Sequence, residues 1–154
     1  MSTTSPAIPE GFKPRNLGRG FIEIVGPLYY RRAPGTDRLR GISLGFRVEP
    51  RHCNPAGTCH GGMLATFVDM LLPVTATSTC EPLRGLYLPT ISLQLDYLAG
   101  APLGSWLQGD AQVLRHTRNM VFVQGLLSAD GTPVARASGI FKIGSALGQH
   151  ASGG

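Results

Sequence analysis

The sequence predicts an α+β domain in which an antiparallel sheet curls around one buried helix. Three observations lead there. Residues 60–80, HGGMLATFVDMLLPVTATSTC, form the one long helical pattern, free of Gly after Gly62 and apolar almost all round. A helix of that kind is normally buried. Four extended segments follow it at short spacing, which favours an antiparallel arrangement. With a further strand before the helix, a sheet wrapped around it satisfies both hydrophobic patterns.

Taken in order, residues 1–20 are rich in Pro, Gly, Ser and Thr and read as a flexible leader. The domain is expected over 21–144. FIEIV and LYYRR look like short extended pieces separated by Gly26 and Pro27. In LRGISLGFRVEP the residues Ile42, Leu44, Phe46 and Val48 alternate onto one face, the mark of a strand. After the helix come LYLPTISLQLDYL, SWLQGDAQVLRHT, NMVFVQGLLSADG and TPVARASGIFKI. Ala129-Asp130-Gly131-Thr132 supplies hairpin chemistry between the last two. The tail from 145 to 154 is small and polar and is expected to be disordered.

Composition narrows the function classes. Only 15% of the 154 residues are charged, against about 25% in typical domains. So little charged surface suggests that a second subunit covers part of the apolar surface. The net charge is +5, carried mostly by scattered Arg, and no basic run exceeds two residues. Nucleic-acid arms show longer clusters. Arg forks suit a small phosphate-bearing ligand better. The start of the chain lacks a signal peptide's apolar core, and no apolar run is long enough to span a membrane. With three Cys and no disulfide spacing, the cytoplasm is the default expectation.

The stretch RHCNPAGTCHGG gathers His52, Cys53, Cys59 and His60 within nine positions. Zinc ligands are usually spaced so that the chain turns around the ion. Here they come as adjacent pairs, which point to opposite faces in extended chain, so a metal site is not expected. Asn54, Pro55 and Gly57 are loop residues, and His60-Gly61-Gly62 opens the helix. Glycine inside a helix costs about 1 kcal/mol relative to Ala. Two of them fit either a tight loop-to-helix junction or close approach of a ligand to free N–H groups at the positive end of the helix dipole.

Asp69 is the only charged residue of the helix, set among Phe67, Val68, Met70 and Leu71. Such a carboxylate is costly unless partnered, and it is a functional candidate. Gly61 and Asp69 are eight residues apart, about 12 Å along the axis. One small reacting group cannot touch both within a chain. Two antiparallel helices across a twofold would bring the start of one to the Asp of the other, which predicts a composite site in a dimer. Pro73 removes the N–H that would bond the Asp69 carbonyl, so a kink is expected there.

NPAGTCHGGMLATFVDM, with its N-x₂-G-x₂-H-G-G pattern and an Asp nine residues after the His, resembles the hotdog-fold acyl-CoA thioesterases, in their phenylacetate-pathway (PaaI-like) branch. The strand meander downstream extends the resemblance over about residues 40–144. It implies a five- or six-stranded antiparallel sheet around one long helix, dimers that pair again into tetramers, and active sites shared between protomers. It implies hydrolysis of an acyl-CoA without a metal or redox cofactor. Asp69 matches the catalytic carboxylate, as general base or nucleophile. Gly61 matches the glycine whose N–H polarises the thioester carbonyl. His60 and Asn54 match residues lining the site, and Ser92 matches a hydroxyl that holds the attacking water. Substrate contacts are implied at Gly62, Thr90, Arg115, Arg118 and Asn119, the two arginines near the CoA phosphates. Family members often carry Gly where Thr117 stands. Two other readings remain at this level: a non-catalytic acyl-CoA-binding module, and a hydratase, whose usual motif is missing.

Overall fold

The computed structural model describes residues 6–37 and 39–149. Among the described residues, seven strands form one antiparallel sheet. The strands are β1 (Lys13–Arg15), β2 (Leu28–Arg32), β3 (Ile42–Arg47), β4 (Thr90–Tyr97), β5 (Trp106–His116), β6 (Met120–Ala129) and β7 (Thr132–Lys142). Their order is β1-β2-β3-β5-β6-β7-β4, so β5, β6 and β7 make a meander and β4 lies beyond β7 at the sheet edge. The short helix α1 spans Phe21–Val25, and the long helix α2 spans Gly61–Thr79. The sheet-around-helix architecture is the one anticipated. The strand count is seven rather than five or six, because β1 and β2 add to one side.

Two N-terminal segments differ from expectation. FIEIV is helical, not extended. Gly20, at φ 87°, and Gly26 bracket it, and a five-residue apolar run cannot by itself distinguish strand from helix. Within the stretch read as leader, Phe12 is buried against Trp106, ring centroids 5.0 Å apart, and residues 13–15 pair with β2. At the other end, residues 147–149 form a 3-10 turn and Ala146 bridges to Leu86. The rest of the expected tail, 150–154, lies outside the described residues.

The core is the contact between α2 and the concave sheet face. Phe67, Val68, Leu71, Leu72 and Ala76 are fully buried against Leu44, Phe46, Leu107, Val121 and Phe141. Gly109 and Gly139 are the seats for this helix. A Cβ on Gly109 would lie 2.4 Å from Leu71 Cδ2, and one on Gly139 would lie 2.9 Å from Leu72 Cδ1. Side chains there would hold the helix off the sheet. The two-residue turn at Asp130-Gly131 has both φ values positive, 46° and 86°, as a tight hairpin of this hand requires. The Asp130 carboxylate also accepts the Trp106 N–H at 3.0 Å.

Candidate functional site

The start of α2 is built around one free donor. His60 is the N-cap, and its Nδ1 accepts the Gly62 N–H at 2.8 Å. The ring is therefore the Nε2–H tautomer. The Met63 and Leu64 N–H groups both donate to the His60 carbonyl. Gly61 N–H alone is left without an acceptor among the described residues, at the positive end of the helix dipole, and Gly61 lines a recess with Asn54, Leu64 and Tyr97.

Both glycines have a steric reason. A Cβ on Gly62 would sit 3.0 Å from His60 Nδ1, against the cap. A Cβ on Gly61 would sit 3.3 Å from the Tyr97 ring, whose hydroxyl donates to the Gly61 carbonyl at 2.9 Å. Tyr97 thus clamps the helix start from β4. Sequence reasoning missed it, because nothing local links residue 97 to residue 61. Tight junction and open donor coexist: the rings fill the space beside the glycines, and the Gly61 N–H stays uncovered.

Asn54 lines the same recess, but its amide is spent within its own loop. Its Oδ1 accepts the Ala56 and Thr58 N–H groups at 3.0 and 3.2 Å, and its Nδ2 donates to Thr58 Oγ1 at 3.0 Å. It shapes the loop that delivers His60. His52 is equally committed. Its Nδ1 accepts the Glu49 N–H at 3.0 Å, and its Nε2 bonds the Val25 carbonyl at 2.8 Å.

Asp69 is exposed on the open face of α2 rather than sealed in the core. Its partner is Thr90, whose hydroxyl donates to Asp69 Oδ1 at 2.5 Å. Oδ2 has no partner among the described residues. Asp69 and Thr90 open on a cavity of about 570 Å³. Its walls are mostly apolar, among them Met70, Val74, Leu86 and Leu88, with Arg15, Arg32 and Arg84 around it. Gly61 lies in a separate recess, about eight helical residues away along the axis.

Ser92 does not join this pair. The β4–β7 register runs Thr90↔Phe141 and then Ser92↔Ile140, so Ile91 is an extra residue. Residues directly opposite in an antiparallel ladder share a face. Phe141 is fully buried on the helix side, so Thr90 faces the helix with it. Ser92 goes with Ile140, Gln94 and Asp96 to the outer face, where Asp96 pairs with Arg136 at 2.6 Å. Without the bulge Thr90 and Ser92 would share a face, as simple alternation implies.

Arg115, Arg118 and Asn119 surround the β5–β6 turn. Thr117 closes that turn with its hydroxyl, which accepts the Asn119 and Met120 N–H groups at 3.3 and 3.1 Å. The turn therefore forms without glycine. Both arginines are exposed. The chain of partners His116↔Val121↔Phe141↔Thr90 puts this turn at the Asp69 end of the sheet, about 14 Å from Thr90 across three strand spacings.

Comparison with known proteins gives the family of the chain. The family model described as the thioesterase superfamily matches residues 56–135, from the loop before α2 into β7. A Pseudomonas aeruginosa protein named "Putative esterase" is 32% identical over 136 residues, covering 88% of this chain and 97% of that protein. Human acyl-coenzyme A thioesterase 13 is 26% identical over 140 residues, 90% of this chain and 94% of the relative. The crystal structure of a phenylacetic acid degradation-related protein from Ralstonia eutropha is similar, with a TM-score of 0.62 at 31% identity, covering 73% of this chain and 82% of that one.

Proposed function

Because the chain belongs to the thioesterase superfamily, we propose that it hydrolyses an acyl-CoA thioester to the free acid and CoA, at a site completed by a second copy of the chain. The observation that carries this reading is the Asp69–Thr90 pair: an exposed carboxylate with one oxygen held by a hydroxyl and the other free. Substrate acyl-CoA is the chemistry named for the human relative, and the cavity beside Asp69 suits an apolar acyl group.

The second copy is argued from reach and from the sheet edge. Gly61 N–H and Asp69 lie about 12 Å apart along one helix, too far to share one carbonyl carbon. Among the described residues β4 pairs only with β7, and Ile91 and Tyr97 of this edge strand, with Leu98 just after it, are each more than half exposed. A twofold at that edge continues the sheet and lays two α2 helices antiparallel. It also covers the apolar edge, which would otherwise invite uncontrolled pairing. Gly61 N–H of one copy then polarises the thioester carbonyl and stabilises the developing oxyanion. Asp69 Oδ2 of the other copy takes the proton of the attacking water, or attacks the carbonyl itself. Thr90 fixes the carboxylate's rotamer in either case. Arg115 and Arg118 contact the CoA phosphates, and two such dimers pair into a tetramer.

Turnover of Asp69→Asn, followed by thiol release from a panel of aromatic and aliphatic acyl-CoAs, tests the assignment. It is expected to fall about 100-fold or more. Wild-type turnover in that variant would overturn the role of Asp69. Tight acyl-CoA binding without any release by the wild-type protein would favour a binding module instead.

A further inference from the structure

Cys53 and Cys59 are partners across the small hairpin that carries Asn54, in an antiparallel bridge. The flanking bonds run from Asn54 N–H to the Thr58 carbonyl at 2.9 Å and from His60 N–H to the His52 carbonyl at 2.8 Å. Those two bonds bracket the cysteines, so Cys53 and Cys59 form a non-hydrogen-bonded pair. At such a pair the Cα atoms are about 4.5 Å apart and both side chains rise from the same face. Disulfides span Cα separations of about 4.4–6.8 Å. The backbone thus already holds the two thiols within bonding reach.

Both thiols are free, and their surroundings assign them different parts. Cys59 is 5% exposed and belongs to the core. Burial, with the neighbouring Cys53 as a smaller cause, pushes its thiol up to about 12. The influence of Cys53 on it fits thiols that face one another. Cys53 is half-buried, with its thiol donating to the Glu49 carbonyl at 3.4 Å. Cys53 is therefore the thiol that meets an oxidant, and Cys59 is the one that resolves it.

We propose that Cys53 and Cys59 form a reversible disulfide site, closed by exchange with a low-molecular-weight disulfide, and that closure lowers thioester turnover. In the first step the Cys53 thiolate attacks the small disulfide, forms a mixed disulfide and releases one small thiolate. In the second, Cys59 gives up its proton to that thiolate and attacks the Cys53 sulfur, and the second small thiol leaves. One disulfide and two protein thiols become one protein disulfide and two small thiols; the protein is oxidised by two electrons and the reagent reduced. The new bond draws the Cys59 sulfur out of its core seat. Cys59 immediately precedes His60, the cap that sets the Gly61 N–H, and displacements near 1 Å at such a donor cost up to about 100-fold in rate. This effect on turnover rests on the proposed role of Gly61; the bond itself does not.

The test treats the 154-residue chain with glutathione disulfide at pH 7 and at pH 8.5. It reads the intact mass, the linked peptides and thiol release from an acyl-CoA, before and after dithiothreitol. The wild type is expected to lose two hydrogen masses through a Cys53–Cys59 link and to turn over at least threefold more slowly until reduced. Closure should be faster at the higher pH, because more of Cys59 is then ionised. Cys53→Ser should fold, keep its activity and form no link, and Cys80→Ser should behave as wild type. A mixed disulfide at Cys53 that never closes, a link through Cys80, or an oxidised protein with unchanged turnover would each overturn the proposal. If the reduced protein shows no thioesterase activity at all, the functional reading fails while the mass data still decide the bond.

Discussion

Thr90, and not Ser92, should be the hydroxyl that matters for turnover. The perturbation is Thr90→Val, which keeps the branched shape and removes only the Oγ1 donor. In the structure that donor reaches Asp69 Oδ1 at 2.5 Å. Hydrogen bonds to charged groups contribute about 1.5–3 kcal/mol. At 1.36 kcal/mol per factor of ten, that is about 10- to 150-fold. Asp69 is exposed in the single chain, so solvent offsets part of the loss and the lower half of the range is expected, about 10- to 30-fold in kcat. Ser92→Ala should stay within about twofold of wild type, because the bulge at Ile91 turns Ser92 to the outer face. The assay is thiol release from one good acyl-CoA substrate, with kcat and KM measured separately. Equal losses in the two variants, or a Thr90→Val enzyme at wild-type kcat, would refute the face assignment on which the site is built.

Two further expectations can be checked alongside. Gly109→Ala puts a methyl within 2.4 Å of Leu71 Cδ2 and 2.9 Å of Phe67 Cε1. Overpacking of that kind costs about 1–3 kcal/mol, so thermal melting should fall by about 2–4 °C per kcal/mol lost; an unchanged Tm would show that α2 can lift off the sheet freely. Replacing Arg115 and Arg118 together by Gln should raise KM for acyl-CoA while kcat holds. Each exposed contact is worth at most about 1 kcal/mol, so the rise is bounded near thirtyfold. It should vanish with an acyl-pantetheine substrate that lacks the nucleotide phosphates, and an equal effect on both substrates would remove these arginines from phosphate binding.

The sequence by itself determined what depends on near neighbours. The long helix was visible because nineteen residues, Gly61–Thr79, carry an apolar pattern too long for a strand. The last hairpin was visible because Asp130-Gly131 can adopt the positive φ pair that a two-residue turn demands. The distance between Gly61 and Asp69 followed from helical rise alone, and the proposal of a second chain rests on it. FIEIV was too short for the same logic, and its glycine brackets decided for helix.

Tertiary structure decided everything that depends on register or on contacts far along the chain. One extra residue in β4 exchanges the faces of Thr90 and Ser92, and no local pattern marks where a bulge will fall. Asp69 looked buried because its neighbours in sequence are apolar, yet it occupies the one strip of α2 that the sheet leaves uncovered. Tyr97 meets Gly61 across 36 residues, and Cys53 meets Cys59 because the loop between them folds back on itself. Local composition sets which elements can form. The pairing of distant strands sets which side chains face one another, and the site consists of such pairs.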